Sequence, residues 1–231
     1  AAVAHSDRVR RQMAADVAHE LRTPLAALQA GLEELRDGMV EPDSFTFSRL
    51  HEQSLRLALT VDQLAQLSAA DAAVLDLASS NLDVAELVAD EMDAAAPQLR
   101  SAGLIVERDL TPGIVVSADP QRLRQVVGNL LANCARHCRS GDRVHVSVAV
   151  VGSDCRITVS DTGPGIPQED LPHVRSRFWR GSDRSTVHGS GIGLAVAAQL
   201  VEAHHGQMII ESSVSTGTTV TVDLPQGSSS L

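Results

Sequence analysis

The segment HELRTPL, which begins at His19, combines a histidine, a neighbouring acid and a proline inside a helical pattern. His19 and Glu20 have the residue types of a nucleophile and of an acid that orients its ring. Pro24 follows one turn later, although a proline inside a helix costs about 3 kcal/mol. A helix that only had to be long would avoid this residue. The alternative is a helix that ends at Thr23, because the residue before a proline disfavours helical backbone.

Two glycine-rich turns have the composition of a nucleotide site. In DTGPGI, Asp161 follows an alternating strand pattern and can accept a hydrogen bond from a base amino group, while Gly163 and Gly165 let the backbone come close. In GSGIGL, residues 189–194, three glycines at alternate positions precede a helix, whose free amides suit phosphate oxygens. No strand leads into this second turn, which excludes the fingerprint of a dinucleotide fold.

A predicted helix carries two amides and a cation at helical spacing. Asn129 and Asn133 are four residues apart on one face, and Arg136 lies one turn beyond. Amide oxygens beside a cation can hold Mg²⁺ and the phosphates that it bridges. The alternative is polar decoration of a solvated helix face.

Two cysteines flank His137 on the same predicted helix. Cys134, His137 and Cys138 are too few for a closed zinc site, and the pattern does not recur in the sequence. The favoured interpretation is therefore that these thiols, and Cys155, are buried in a reducing compartment.

The composition limits the classes of function. The 231 residues carry a net charge of −10, only 2% of them are aromatic, and all 19 basic residues are arginine. No basic stripe is present, which argues against nucleic-acid binding. No apolar run approaches the roughly 18 residues that a membrane-spanning helix needs. We expect a soluble piece of a longer protein.

An apolar heptad seam runs straight through Pro24. Its members are spaced by alternating steps of four and three residues: Ala14, Ala18, Leu21, Leu25, Leu28, Leu32 and Leu35. The seam predicts a helix that is kinked at the proline and does not end there. A loop with an Asp43/Ser44 cap follows, and then a second seam of Leu50, Leu57, Val61, Leu64 and Leu67. Residues 1–68 are thus predicted to form a helical hairpin that pairs with a second copy into a four-helix bundle.

The rest of the chain has a different pattern. Residues 69–81 lose the heptad and gain small residues, which predicts a linker. In residues 82–225, amphipathic helices mix with alternating strands without a regular βαβ repeat, which favours an α+β sandwich. Residues 226–231 are predicted to be a disordered tail.

The motifs H-E-L-R-T-P, N-x-x-x-N, D-x-G-x-G, F-x-R and G-x-G-x-G, in this order, resemble the catalytic core of bacterial sensor histidine kinases. The resemblance covers residues 6–225. It implies a dimerisation and phosphotransfer hairpin followed by the ATP-binding domain that gyrase, Hsp90 and MutL ATPases share, often called the GHKL or Bergerat fold.

The resemblance assigns roles to individual residues. His19 matches the phosphoacceptor, Glu20 the acid that orients its ring, and Thr23 the residue that positions water in kinases that are also phosphatases. The resemblance places a further set of residues around ATP and Mg²⁺, with Asn129 and Asn133 on the metal: Asn129, Asn133, Arg136, His137, Asp161, Gly163, Gly165, Ile166, Phe178, Arg180, Gly189, Ser190, Gly191, Ile192, Gly193 and Leu194. Arg136 stands where the family often has lysine. The residues before Phe178 are more basic than is usual in the family.

The resemblance implies ATP-dependent phosphorylation of His19 and transfer to an aspartate of a response-regulator receiver domain. It also implies a homodimer through the hairpin and a place as the cytoplasmic portion of a membrane sensor. Two alternatives remain. A gyrase-like ATPase would carry glutamate in place of Asn129, and a catalytically idle docking dimer would not need intact motifs.

Overall fold

The computed structural model describes residues 22, 25–73, 77–176 and 192–226. The chain divides into two compact units, Ala1–Ser68 and Ala69–Leu231. The two units are described separately below.

The first unit is a helical hairpin. Helix α1 covers residues 25–36 and helix α2 covers Ser44–Ala73. A Cβ on Gly31 would lie 2.7 Å from Leu50 Cδ2, so the glycine permits close contact between the two helices. The Thr46 N–H donates to Asp43 Oδ1 at 2.7 Å, which confirms the predicted cap of α2 and lowers the pKa of Asp43.

The hairpin leaves much of its predicted apolar seams on the surface. Leu50 is only 8% exposed, whereas Leu32 and Val61 are each 51% exposed. A single hairpin therefore does not bury both seams, which agrees with the reasoning behind the predicted pairing. The four-helix bundle itself stays a prediction. Pro24 and its kink lie outside the described residues.

The predicted linker differs from the structure at both ends. Helix α2 continues to Ala73, and strand β1 begins at Ser80. Alanine has the highest helix propensity, so the alanine-rich stretch after Ser68 extends the helix although the heptad has ended. Within residues 69–81, only 77–79 are described as neither helix nor strand.

The second unit contains a five-stranded sheet and a small two-stranded one. The strands are β1 (Ser80–Asp83), β2 (Ile105–Leu110), β3 (Val115–Ala118), β4 (Arg143–Val151), β5 (Asp154–Asp161), β6 (Gln207–Ser213) and β7 (Gly217–Pro225). The large sheet has the order β2-β4-β5-β7-β6, in which only β2 and β4 pair in parallel; β1 and β3 pair antiparallel.

Three further helices are seen in the described part of this unit: α3 (Val84–Ser101), α4 (Pro120–His137) and α5 (Gly193–Ala203). Alternate residues of β4, β5 and β7 are buried, and the apolar faces of the three helices are buried with them. One sheet face and one helix layer thus share the core, which confirms the predicted α+β sandwich. Strand β1 was missed, because the helical pattern was extended back to Leu82; the helix begins at Val84 with Asp83 as its cap.

Asp119 joins three parts of this unit. Its Oδ1 accepts from the N–H groups of Gln121 and Arg122, which confirms the predicted cap of α4. Its Oδ2 accepts from the Ala78 N–H at 3.1 Å. Its own N–H donates to His204 Nε2 at 3.0 Å, at the end of α5. The starting end of α4 is therefore tied both to the preceding segment and to α5.

We predict that His204→Ala destabilises this unit by about 1–3 kcal/mol, because the buried Asp119 N–H loses its acceptor. His204 is 7% exposed, so the change also removes packing. Urea unfolding followed by circular dichroism measures the effect. His173→Ala, at an exposed position, is the control and should change little. Equal stability of the two variants would contradict the role given to His204.

Candidate nucleotide site

Asp161 is held by main-chain amides at the end of β5. The core face of this strand carries Ile157 and Val159, and the two-residue period places Asp161 on the same side. Its Oδ1 accepts from the N–H of Gly163 at 2.9 Å and from the N–H of Thr218 at 3.2 Å. Within the described residues, Asp161 Oδ2 has no hydrogen-bond donor. The carboxylate therefore presents one fixed acceptor to a ligand.

The turn after Asp161 is braced by the β6–β7 hairpin. Gly165 has φ +71°, and a Cβ there would collide with the Ser213 carbonyl oxygen. The Ser215 N–H donates to the Pro164 oxygen at 2.9 Å, and the Ile166 N–H donates to Ser212 Oγ at 2.8 Å. The glycine is thus required by close packing as well as by backbone conformation.

Three bracing residues were not predicted from the sequence. Ser212 Oγ donates to the Gly217 oxygen at 2.8 Å and lies 2.9 Å from Thr218 Oγ1. Gly217 has φ +98°, and a Cβ there would collide with the Asp161 oxygen. The one signal in the sequence is the Gly-Thr step that opens the last strand, which by itself indicates only a turn.

The two asparagines of α4 lie beside the start of α5. Asn129 Nδ2 donates to the Gly193 oxygen at 3.2 Å. Arg136 Nη1 donates to Asn133 Oδ1 at 3.0 Å. A Cβ on Gly193 would lie 3.8 Å from Asn133 Oδ1 and 3.9 Å from Asn129 Cβ, so the glycine allows α5 to start close to both amides. The structure brings these residues together, and their role at a magnesium ion stays a prediction.

The last turn of α4 carries Arg136, which is cationic, and His137, which is titratable, near Asp161. Burial lowers the pKa of Arg136, although its guanidinium remains charged in water at neutral pH. Burial and the neighbouring Arg136 lower the pKa of His137, and Asp161 opposes this shift. Both residues nevertheless keep much of their surface in solvent at the rim of the site, so the surrounding protein removes only part of their hydration. The imidazole is therefore favoured in its neutral form, beside a permanent positive charge.

The start of α5 provides the glycine-rich part of the site that is described. Helix α5 begins at Gly193, and no side chain of the described residues caps it. Ile192 is buried and Leu194 is half-buried, so both help to fix this helix end. An uncapped helix start favours negative charge.

Several predicted site residues lie outside the described residues. They are His19, Glu20 and Thr23 of the hairpin, and Phe178, Arg180, Gly189, Ser190 and Gly191 of the segment before α5. Their roles stay predictions.

The cysteine interpretation is partly wrong. Cys134 and Cys155 are buried as predicted, but Cys138 is half-buried, because it caps the end of α4 in extended conformation at the rim. No group of three or more His, Cys, Asp or Glu side chains in the described parts of the chain is arranged to hold a metal ion.

Two family models match the chain. The His Kinase A (phospho-acceptor) domain matches residues 9–73, and the histidine kinase-, DNA gyrase B-, and HSP90-like ATPase matches residues 118–228. A solved structure of the Acinetobacter baumannii histidine kinase AdeS is 30% identical, with a TM-score of 0.69 over 90% of this chain and 98% of that one. The chain belongs to the histidine kinases.

Curated relatives of this histidine kinase chain agree. It is 35% identical over 222 residues to the signal transduction histidine-protein kinase BaeS of Escherichia coli K12, covering 95% of this chain and 48% of BaeS. It is 35% identical over 238 residues to AfsQ2 of Streptomyces coelicolor, covering 97% of this chain and 43% of AfsQ2. The chain thus spans less than half the length of these two relatives. In the described residues, no helix has the length and apolar character needed to cross a membrane.

We predict that Gly165→Ala weakens binding of a fluorescent ATP analogue at least about tenfold, or about 1.4 kcal/mol. The added Cβ forces the Ser213 strand end away from the Asp161 turn. Fluorescence titration measures the affinity.

Gly152→Ala is the matched control. Gly152 also has a positive φ, +64°, but a Cβ there meets nothing within 4 Å. Backbone strain should lower the free energy of unfolding of this variant by about 1–2 kcal/mol, and its affinity for the ATP analogue should be unchanged. Equal loss of affinity in both variants would contradict the bracing role of the β6–β7 hairpin.

Proposed function

We propose that this chain is the catalytic core of a two-component sensor histidine kinase, which phosphorylates His19 with ATP and passes the phosphoryl group to an aspartate of a response regulator. The observation that carries the proposal is the Asp161 site. One oxygen of the carboxylate is fixed by two amides and the other is left as an acceptor, inside a turn that two glycines open. The match to both family models, in this order, supports the same function.

Asp161 accepts a hydrogen bond from the amino group of adenine in this proposal. A carboxylate in a fixed position discriminates well, because a base with an acceptor at that place leaves two acceptors facing each other. The Thr218 and Gly163 amides prevent the carboxylate from turning to suit such a base.

The asparagines fit a magnesium ion in the chemistry of their free atoms. Asn129 uses its amide nitrogen on Gly193, which leaves its oxygen as an acceptor. Asn133 Oδ1 accepts one bond, from Arg136, and keeps a second lone pair. Bound here, Mg²⁺ supplies charge neutralisation for the phosphates. Arg136 adds a permanent positive charge and orients Asn133.

The remaining nucleotide residues surround the phosphates in this proposal. The start of α5 at Gly193, where no side chain of the described residues caps the helix, favours their negative charge, and Ile192 and Leu194 hold that helix end in place. The segment that contains Phe178, Arg180, Gly189, Ser190 and Gly191 forms the lid that the family resemblance implies.

In the transfer step, a ring nitrogen of His19 forms a bond to the γ-phosphorus while the bond from that phosphorus to the bridging oxygen breaks and ADP leaves. Glu20 orients the ring and accepts a hydrogen bond from its other nitrogen. The phosphoryl group then moves from His19 to the aspartate of the receiver. Thr23 positions the water that hydrolyses the phosphorylated aspartate when the chain acts as a phosphatase of the receiver.

Asn129 distinguishes this function from that of a gyrase-like ATPase. Such an enzyme needs a carboxylate at this position to activate water. The Asn129 side chain instead donates a hydrogen bond to the Gly193 oxygen, which an ionised carboxylate has no proton to form.

The assembly and location are part of the same proposal. The exposed seam residues Leu32 and Val61 support a homodimer through the hairpin. The family resemblance and the similarity to the signal transduction histidine-protein kinases BaeS and AfsQ2 support a place as the cytoplasmic portion of a membrane sensor.

We predict that Asp161→Asn keeps the fold but weakens ATP binding at least about tenfold, or about 1.4 kcal/mol. The amide oxygen can still accept from Gly163 and Thr218, while the outward oxygen is replaced by a donor that opposes the adenine amino group. The same donor suits the carbonyl of guanine, so the ratio of ATP to GTP affinity should fall. Isothermal titration measures both affinities.

Asp154→Asn, at the other end of β5, is the matched control for this change and should leave both affinities unaltered. An unchanged nucleotide preference in Asp161→Asn would contradict the role of Asp161 in reading the base.

We predict that His19→Gln binds ATP normally but takes up no label from γ-labelled ATP, because glutamine has no nucleophilic ring nitrogen. The label on the unaltered chain should be acid-labile and alkali-stable. His51→Gln, on the exposed side of α2, is the control and should label normally. If acid-labile, alkali-stable label persisted in His19→Gln, the assignment of His19 as the phosphoacceptor would be refuted.

A further inference from the structure

The two cysteines at the end of α4 are linked through backbone and side chains. Cys138 is the capping residue, and its N–H donates to the Cys134 oxygen at 3.0 Å. Residues four apart in helical geometry have Cα atoms about 6 Å apart. This separation lies inside the range of about 4.4–6.8 Å that Cα atoms span in disulfides. Cβ atoms at this helical spacing are about 5–6 Å apart, whereas a disulfide needs about 3.5–4.5 Å, so the bond requires Cys138 to move toward Cys134.

The thiols are in contact, but they differ in environment. The side chains of Cys134 and Cys138 share a hydrogen bond, which, together with burial and the charge of Asp161, raises the pKa of Cys134 well above its usual value. Cys134 is 5% exposed, whereas Cys138 is half-buried at the rim. An oxidant in solvent therefore reaches Cys138 first, with the Cys134 sulfur held behind it in the core.

Cys138 also contacts the turn that fixes the Asp161 carboxylate, the proposed acceptor for adenine. A Cβ on Gly163 would lie 3.0 Å from Cys138 Sγ and 2.9 Å from Asp161 Oδ1. The Gly163 N–H is one of the two amides that fix that carboxylate. The position of the Cys138 sulfur and the shape of this turn are therefore coupled by packing.

The third cysteine provides a contrast within the same unit. Cys155 is fully buried in β5, opposite Val150 and Leu224, and burial raises its pKa to about 12. A thiol in that environment is inert.

We propose that Cys134 and Cys138 form an oxidation site for hydroperoxides, whose reversible disulfide rearranges the Asp161 turn and weakens nucleotide binding. The effect on the nucleotide rests on the proposed ATP site; the disulfide does not.

The chemistry balances in two steps. The Cys138 thiolate attacks the terminal oxygen of the hydroperoxide, the O–O bond breaks, and an alcohol or water leaves as Cys138 becomes a sulfenic acid. The Cys134 sulfur then attacks the Cys138 sulfur, the S–O bond breaks, and the hydroxide leaves as water with the Cys134 proton. A thiol reductant reverses the reaction by exchange.

The bond changes the geometry at the rim. A disulfide is about 2.05 Å long, shorter than any hydrogen-bonded contact of two thiols. Because Cys134 is buried in the core and Cys138 is a half-buried capping residue, Cys138 is the residue that moves when the bond forms. Its movement changes the contact between its sulfur and Gly163, whose N–H binds Asp161.

The experiment treats the reduced, full 231-residue chain with hydrogen peroxide. Intact mass should fall by about 2 Da, the two hydrogens that a disulfide loses, and return with dithiothreitol. Hydrogen exchange of the 161–166 segment should rise on oxidation. Affinity for a fluorescent ATP analogue should fall by about 5- to 150-fold, the usual range of coupling between sites.

Three variants complete the test. Cys134→Ala and Cys138→Ala should lose the mass change and the response of the turn, whereas Cys155→Ala should retain both. Each affinity is compared with that of the same variant in its reduced state, so that a direct effect of the substitution on binding is separated from the effect of oxidation.

No disulfide in the unaltered chain, or one that also forms in Cys138→Ala, overturns the oxidation site. A disulfide that leaves both hydrogen exchange and affinity unchanged overturns the coupling. If the reduced chain does not bind the ATP analogue, the proposed function fails, and hydrogen exchange of the turn still decides whether the oxidation site is correct.

Discussion

The carboxylate oxygen Oδ1 of Asp161 is the atom on which the geometry of the site depends. It joins the end of β5, the glycine turn that follows and the first residues of β7 through two amide bonds. Strand β7 lies more than fifty residues further along the chain than β5 and the turn, so a ligand that contacts the carboxylate depends on the packing of both regions. Gly217 approaches Asp161 so closely that no side chain fits between these two strand ends.

The positions of the proposed nucleotide-binding residues were predictable because these residues end strong local patterns. Asp161 closes a strand of clean alternation, and Asn129 and Asn133 lie at helical spacing on a helix with both its cap and its first-position proline in place. A motif of this kind depends on neighbours in sequence. The residue types alone indicated the chemistry, and the order of the motifs indicated the family.

The supporting residues were not predictable for the opposite reason. Ser212 and Thr218 act on a turn about fifty residues away, and no local pattern signals such a contact. Strand β1 was missed because its four residues run directly into α3, so that Leu82 fits the helical period equally well. The helical end of the predicted linker was missed because loss of a heptad marks the end of a packing face, while alanine continues the helix itself.

The hydrogen bond from Ala78 to Asp119 has a mechanical consequence. Ala78, which follows α2 in the chain, is hydrogen-bonded to Asp119 at the N-terminus of α4. Asn129 and Asn133 lie on the same helix, two to four turns further along. Because a regular α-helix connects Asp119 to these asparagines, a displacement of Ala78 would be transmitted along the helix axis. The His204 ring accepts a hydrogen bond from the Asp119 N–H and so holds the same end of α4. A force applied to the Ala78 segment would therefore act on the start of α4, which His204 also holds, before it could displace the asparagines.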